Sequence, residues 1–355
     1  MENNNFKYQK CVDQIIKYIS DNSLSEGDKL PPEPKLTEIF QVSRITVRRA
    51  IDDLEQQGIV KKIQGSGTFV KFSHPKEPAA VKYLHFVLSE NTNDGELLKT
   101  IRGADKFLSE HSYYLRTHFT YGDAEKERNS ILELSAGGET CIMIFPKKEL
   151  INCRFYQEME RKGMRFVFLD RMPPCVSGNL VQCDNVKGGY LATSHLIQQG
   201  YKKIAFFSRR PKSDASTLPQ RLLGYQNALE EYGMPYRSEF VTFVPHEEET
   251  KSYFEKIITL DDHPDAFFCA SDTTAVEIMY YLEKNSFSIP KDIAVIGFDN
   301  SSILQRLPFS LSTIEQSFYD LGYQAAKTAY DIIEKKLPYN IQKTLPVKLI
   351  ARKST

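Results

Sequence analysis

Arg44, Arg48 and Arg49 stand close together, beside Ser43 and Thr46 and interleaved with the apolar positions Val47, Ala50, Ile51 and Leu54. The apolar set falls at i, i+3, i+4 and i+7, so a helix turns it inward and leaves Arg44 and Arg48 one turn apart on the outer face. Ser43 suits the N-cap, where its hydroxyl accepts from an otherwise unpaired backbone N–H. A helix of this size fits the major groove of DNA. A guanidinium offers two donors to a guanine edge or one to a phosphate, and Thr46 can meet a phosphate or a thymine methyl. Taken alone, such arginines are an ordinary solvated face, so the reading depends on the surrounding elements.

A second group of polar residues follows strand-like runs. Asp170 and Arg171 come after Phe166–Leu169, Asp272 after Ala266–Cys269, and Asp299 after Ile293–Gly297. In open parallel sheets the carboxyl ends of the strands face the ligand crevice, so polar groups there converge. The competing reading is that such residues only form turns or cap helices; Asp184 and Asn185 are read mainly as the cap of a helix starting near Lys187. Catalytic patterns are missing. His111 and His118 are isolated, His246-Glu247 lacks the second histidine of a zincin, and there is no G-x-S-x-G elbow. Gly65-Ser66-Gly67 lacks the trailing Lys-Ser/Thr of a nucleotide loop. The sequence predicts a binding protein with no metal and no cofactor, and not an enzyme.

The chain of 355 residues, with 46 basic and 46 acidic side chains, 41% hydrophobic and 26% charged, has the composition of a soluble globular protein of two or three domains. Its apolar runs are too short to span a membrane and its first residues are polar, so a cytoplasmic protein is expected. Cysteines 11, 141, 153, 175, 183 and 269 show no metal spacing and are expected to be reduced thiols.

Proline and polar residues over 71–80 mark a linker between an N-terminal domain, residues 1–70, and a second domain, residues 81–355. The first carries helical stripes at Val12, Ile15, Ile16 and Ile19, at Leu36, Ile39 and Phe40, and at Val47–Leu54, followed by two strand-like segments around Gly65-Ser66-Gly67. The second alternates short apolar runs with helix-length segments, from Tyr83–Leu88 through Ile293–Gly297. That pattern predicts an α/β domain of parallel sheets covered on both faces. Two lobes with a cleft between them house these runs best, with one large sheet or barrel as the alternative.

The order of Leu30-Pro31-Pro32-Glu33-Pro34-Lys35-Leu36, Val42-Ser43-Arg44-Ile45-Thr46-Val47-Arg48 and Gly65-Ser66-Gly67-Thr68-Phe69-Val70 resembles the winged helix-turn-helix of GntR-type bacterial regulators, over roughly residues 8–70. The resemblance implies that Arg44, Thr46 and Arg48 touch double-stranded operator DNA from the recognition helix, that Ser43 and Arg49 flank that contact, and that Gly67 brings the wing tip to the minor groove. The chain departs from the pattern at Pro34, where the family carries a DNA-binding arginine; Lys35 stands beside it. Residues 1–80 hold 12 basic and 11 acidic side chains, so affinity must come from local clustering and from doubling. A homodimer on a near-palindromic operator is expected.

From about Lys82, the segments Ile101-Arg102-Gly103, Phe168-Leu169-Asp170-Arg171, Cys183–Gly189, Gln220-Arg221-Leu222-Leu223-Gly224-Tyr225, Ala270-Ser271-Asp272, Gly297-Phe298-Asp299 and Leu311-Ser312-Thr313-Ile314 resemble the LacI-type regulatory domain, itself similar to periplasmic sugar-binding proteins. The combination looks like the arabinose-repressor type of chimera. It implies a sugar-like effector held by Asp170, Arg221, Asp272 and Asp299, with Arg171 and Gln316 as lesser contacts and Phe298 packed on the apolar face of the ring. The implied function is a transcriptional regulator, most often a repressor, of carbohydrate utilisation, whose ligand closes the lobes and changes operator affinity. A solute-binding protein and a sugar-acting enzyme are the alternatives sharing such a cleft.

Overall fold

The computed structural model describes residues 2–71, 81–89, 95–146, 152–209, 216–244, 247–260, 262–306, 310–335 and 340–355. The chain divides into two compact units, Met1–Val81 and Lys82–Thr355. Most of the expected linker, from residue 72 to residue 80, lies outside the described residues.

The first unit consists of α1 (Glu2–Asp21), α2 (Glu33–Phe40), α3 (Arg44–Gln56), β1 (Val60–Ile63) and β2 (Gly67–Val70). Pro34 sits in the first turn of α2, where its missing N–H costs nothing. A left-handed residue, Gln41, ends α2, and the chain re-enters a helix within three residues. Ser43 caps α3 as expected, accepting from Thr46 N at 3.2 Å. The three apolar stripes meet in one core of Val12, Ile15, Ile19, Leu36, Val47, Ala50, Ile51 and Leu54, which Val60 and Val70 extend under the hairpin. The wing has a part that periodicity does not reveal. Residues 27–30 lie along β2, with Leu30 N–H donating to Thr68 O and Val70 N–H to Asp28 O, each at 2.9 Å.

The second unit opens with β3 (Lys82–Leu88), α4 (Gly95–Ser109), β4 (Tyr113–Phe119), α5 (Ala124–Ala136), β5 (Cys141–Phe145), α6 (Cys153–Arg161), β6 (Arg165–Leu169) and β7 (Asn179–Cys183). It continues through α7 (Asn185–Gln198), β8 (Ile204–Ser208), α8 (Thr217–Glu231), β9 (Val241–Phe243), α9 (Glu247–Ile258), β10 (Ala266–Cys269) and α10 (Asp272–Lys284). It closes with β11 (Ala294–Asp299), β12 (Ser312–Gln316), α11 (Phe318–Lys335), β13 (Gln342–Leu345) and β14 (Val347–Ile350).

These strands form two six-stranded sheets, ordered β13-β7-β6-β5-β3-β4 and β14-β12-β11-β10-β8-β9, parallel except where β14 pairs with β12. Two lobes result, and a single sheet or barrel is excluded. Successive side chains of the central strands enter different cores. On β3, Phe86 and Leu88 face the core under α4 and α11, while Val87 faces Ile131 of α5 and Tyr156 of α6. Burial on both faces explains why these strands read as unbroken apolar runs. The chain passes between lobes three times, after β7, after β12 and between β13 and β14. Each crossing is short.

The expectation of six reduced thiols is corrected at Cys153 and Cys175, which form a disulfide with Cα atoms 5.8 Å apart. The start of α6 and the loop after β6 meet only in the folded lobe, so a separation of 22 residues gave no hint of it. Cys11, Cys141, Cys183 and Cys269 are free and buried.

Candidate functional site

On the first unit, Arg44 and Arg48 are exposed on α3 and flank Ile45, an apolar side chain left 81% accessible. Arg48 is not a loose charge: its Nε and Nη2 both reach Glu33 Oε2, at 3.3 and 3.1 Å. This fork ties the guanidinium to the first residue of α2. Ser43 and Thr46 are engaged with each other, their hydroxyl oxygens 2.8 Å apart, so the cap orients both. Arg49 leaves the face shared by Arg44 and Arg48, and its guanidinium lies 4.3 Å from the ring centre of Tyr8 on α1. Lys35 is exposed at the start of α2.

Gly67 has φ +118°, a conformation that glycine adopts without strain, and a Cβ there would lie 2.7 Å from Lys29 Cε. Lys29 therefore stands beside the wing tip, its Nζ 5.9 Å from the ring centre of Phe69. Sequence reasoning missed Lys29 because its place depends on the third wing segment. It also passed over Ile45, whose type and position beside Arg44 and Thr46 were visible in the recognition motif.

In the second unit, a cavity of about 880 Å³ lies between the lobes. Asp170, Arg171, Arg221, Asp299 and Gln316 all line it. Arg221 is the organising group. Its Nε donates to Asn185 Oδ1 at 2.8 Å, its Nη1 to Ala270 O at 2.5 Å, and its Nη2 lies 3.4 Å from Asp299 Oδ1. Two glycine-lined helices make this possible: a Cβ on Gly189 of α7 would come within 2.1 Å of Arg221 O, and one on Gly224 of α8 within 2.0 Å of Val186 O. The backbones of α7 and α8 touch there, which brings Arg221 onto Asn185. Asp184 caps α7 as expected, accepting from Lys187 N at 2.8 Å. The adjacent Asn185 instead holds the arginine, a role its capping assignment hid.

Asp299 has φ +113° and is followed by Asn300 at +49°. Two consecutive left-handed residues without glycine are strained, a feature concentrated at functional sites. Gln316 Nε2 donates to Asp299 Oδ1 at 2.7 Å. Four buried polar atoms on the cavity residues find no hydrogen-bond partner among the described residues: Arg171 Nη1, Gln316 Oε1, Ser301 Oγ and Arg209 Nε. Buried polar groups are rarely left so.

Two expected contacts do not reach the cavity. Asp272 is fully buried, accepting from Ser301 N at 2.7 Å and Thr313 Oγ1 at 2.5 Å, so it anchors the strand-end turns. Its strand-end position suggested a ligand contact, but the side chain folds back under β11. Phe298 is also fully buried, and the Arg221 guanidinium covers its ring at 3.7 Å. Alternation along β11 sends Asp299 to the cleft and Phe298 into the core. Conversely, Arg209, Glu277 and Glu96 line the cavity without having been singled out. Arg209 directly follows β8, two residues after the apolar run Ile204–Phe207, so the strand-end rule pointed close to it. Glu277 lies inside α10 and has no such signal.

Burial pushes the Asp272 carboxyl up to about 7, and the neighbouring charge of Asp299 adds to the effect. Burial likewise raises Asp299, against the pull of Arg221 and Gln316. An acid with a raised folded pKa binds protons that the unfolded chain has released. The folded state therefore gains stability as pH falls from about 7 toward the ordinary carboxylate value near 4, and that gain is absent above about 7. Between pH 8 and pH 6, Asp272→Asn is expected to flatten the rise in melting temperature relative to the parent protein. Parallel curves would contradict the assignment of the proton to Asp272.

Residues 7–70 match the model of the bacterial regulatory proteins of the gntR family, and residues 193–355 match the periplasmic binding protein-like domain. The arabinose metabolism transcriptional repressor of Geobacillus stearothermophilus is 29% identical over 338 residues, covering 93% of this chain and 92% of that protein. The protein of the same name from Halalkalibacterium halodurans is 26% identical, covering 93% and 90%. Among solved structures, a transcriptional regulator CelR–cellobiose complex shares the fold with a TM-score of 0.68 at 22% identity, covering 89% of this chain and 92% of that one. Along the described chain, no helix is long and apolar enough to cross a membrane. The chain is a transcriptional regulator that joins a GntR-family DNA-binding head to a periplasmic binding protein-like receptor domain.

Proposed function

We propose that the chain is a cytoplasmic repressor of carbohydrate-utilisation genes that binds its operator as a homodimer and is controlled by a sugar-like effector held between the lobes, with no catalytic turnover. The observation that carries this reading is the cavity. Asp170 and Arg171 from one lobe and Arg221 and Asp299 from the other face one space, beside unpartnered donors and acceptors. Neighbouring hydroxyls of a sugar present that alternation, and each contact to an ionised group is stronger than a neutral one. A ligand touching both lobes binds the closed receptor better than the open one and shifts the population by that difference. On the head, Arg44, Ile45 and Arg48 read base edges and methyl groups in the major groove, Thr46, Ser43 and Lys35 approach phosphates, and Gly67 with Lys29 approaches the minor groove.

Thermal melting in the presence of pentoses, hexoses and disaccharides tests the receptor half. A ligand specific to the folded state, at 100 times its Kd, stabilises by about 2.7 kcal/mol and raises the melting temperature. A flat response across the panel would count against the cleft as an effector site.

A further inference from the structure

Two of the six cysteines differ from the rest. Cys11, Cys141, Cys183 and Cys269 are buried, and burial raises each of their thiols, those of Cys141 and Cys183 to about 12. They stay protonated and out of reach. Cys153 and Cys175 are partly exposed and joined to each other. Cys153 opens α6, whose start carries no side-chain cap, and the free N–H groups of a helix start favour a thiolate over a thiol. The bond runs from a firm post to a loop. On the post side, Asn152 Nδ2 donates to Glu127 Oε1 of α5 at 2.7 Å, and the fully buried Tyr156 donates its hydroxyl to the same oxygen. On the loop side, Met172-Pro173-Pro174 separates Cys175 from Arg171. Both prolines have φ fixed by their rings, so where Cys175 is held decides where Arg171 stands. Arg171 lines the cavity, its Nε 3.2 Å from Asp170 Oδ2 and its guanidinium 5.1 Å from the ring centre of Phe145. Asp170, at the start of the loop, has φ +65°, a left-handed conformation that its surroundings must hold in place. Gln157 Nε2 of α6 also donates to Cys175 O, at 2.6 Å, so opening the disulfide loosens the loop without releasing it.

We propose that Cys153 and Cys175 form a reversible redox-modification site, closed by low-molecular-weight disulfides and opened by low-molecular-weight thiols, and that its state sets the order of the loop presenting Arg171 to the cleft. This rests on the reading of a cytoplasmic regulator with an effector cleft, because disulfides in that compartment are usually transient and redox-sensing or catalytic. In the closing direction the Cys153 thiolate attacks one sulfur of the small disulfide. A mixed disulfide forms, and the departing thiolate takes up the proton that Cys153 released. The Cys175 thiolate then attacks the Cys153 sulfur, which completes the protein disulfide and releases a second small thiol carrying the Cys175 proton. Two protein thiols are oxidised, one small disulfide is reduced to two thiols, and the reverse sequence opens the bond.

The test equilibrates the full chain in a series of reduced and oxidised glutathione mixtures and reads each cysteine by alkylation and mass spectrometry. Cys153 and Cys175 are expected to lose labelling together at one midpoint inside the series, with the four buried thiols unlabelled throughout. A pair blocked in every mixture would be a purely structural bond and one labelled in every mixture would be no bond; either result overturns the switch. Hydrogen exchange is then followed at the amides of Arg171, Met172, Cys175 and Val176, and is expected to be at least about tenfold faster in the reduced protein, as local opening becomes easier. Equal exchange in the two states would overturn the control of the loop. Cys175→Ser is expected to match the reduced parent in every mixture; should it fail to fold, the two states of the parent protein still decide. Calorimetric titration with pentoses, hexoses and disaccharides is expected to show binding about tenfold tighter in the oxidised protein, the effect of sparing one residue's ordering on binding. Equal affinity would overturn the link to the cleft. Failure of every sugar to bind in either state would remove the effector-site reading, while labelling and loop exchange would still judge the redox site.

Discussion

Arg221→Ala is expected to abolish effector binding and to destabilise the receptor unit by about 3 kcal/mol, the low end of what breaking a buried ion pair costs. The guanidinium joins Asn185 on α7, Ala270 O after β10 and Asp299 after β11, and it covers the ring of Phe298. Its removal leaves Asp299 without its cation and two buried acceptors without a donor, so the strand ends that shape the cleft lose their common brace. Arg221→Lys keeps the charge and loses the fork, because one ammonium cannot aim donors in three fixed directions over an aromatic ring. The lysine variant is expected to regain part of the stability and little of the binding. Chemical denaturation and ligand titration measured on both variants separate the two losses. Full effector affinity in a folded Arg221→Ala would remove this residue from the site.

Arg48→Ala is expected to weaken operator binding by about 1–3 kcal/mol per head, and Arg44→Ala by a similar amount, with sequence preference relaxed at the base each one reads. The two differ in origin. Arg44 stands at the first position of α3, the end of a recognition helix that approaches base edges. Arg48 is held in place by Glu33. Glu33→Ala therefore keeps the cation but frees its side chain, and this variant is expected to lose sequence discrimination more than total affinity. Arg49→Ala, by contrast, loses its stacking on Tyr8 and is expected to affect operator binding less than either. Gel-shift titration with specific and scrambled duplexes at fixed salt distinguishes these outcomes. Equal affinities for Arg48→Ala and the parent protein would contradict the placement of the reading face.

The sequence showed the frame of both units because the frame is written in local patterns. The stripe Val47, Ala50, Ile51 and Leu54 makes an inward face of α3, and Ser43 starts it. Runs such as Cys141–Phe145 and Ala266–Cys269 coincide with β5 and β10, being strands buried on both faces. Edge and mixed segments were harder to see. β13 and β14 carry exposed polar positions and sit at the sheet margins, and residues 27–30 join the wing through backbone bonds with little help from side-chain pattern.

In the cleft, the rule that strand ends face the ligand found Asp170, Arg171 and Asp299. It could not tell that Asp272 folds back under β11, because that depends on where Ser301 and Thr313 offer their donors. It gave Phe298 an exposed role that alternation along β11 denies. Asn185 and Glu277 meet partners far away in sequence, Arg221 and Arg209, and only the packing of α7 on α8 and of α10 on the sheet that holds β8 brings them together.

The central claim is that a ligand in the cleft changes how tightly the head holds DNA. The most direct measurement is fluorescence anisotropy of an operator duplex, selected by the full-length protein from random sequences, titrated with and without the sugar that raises the melting temperature. The sugar is expected to change operator affinity of the parent protein by roughly 5- to 150-fold, the usual span of allosteric coupling, and to leave the affinity of Arg221→Ala unchanged. Identical operator affinity of the parent protein with and without bound sugar would contradict it.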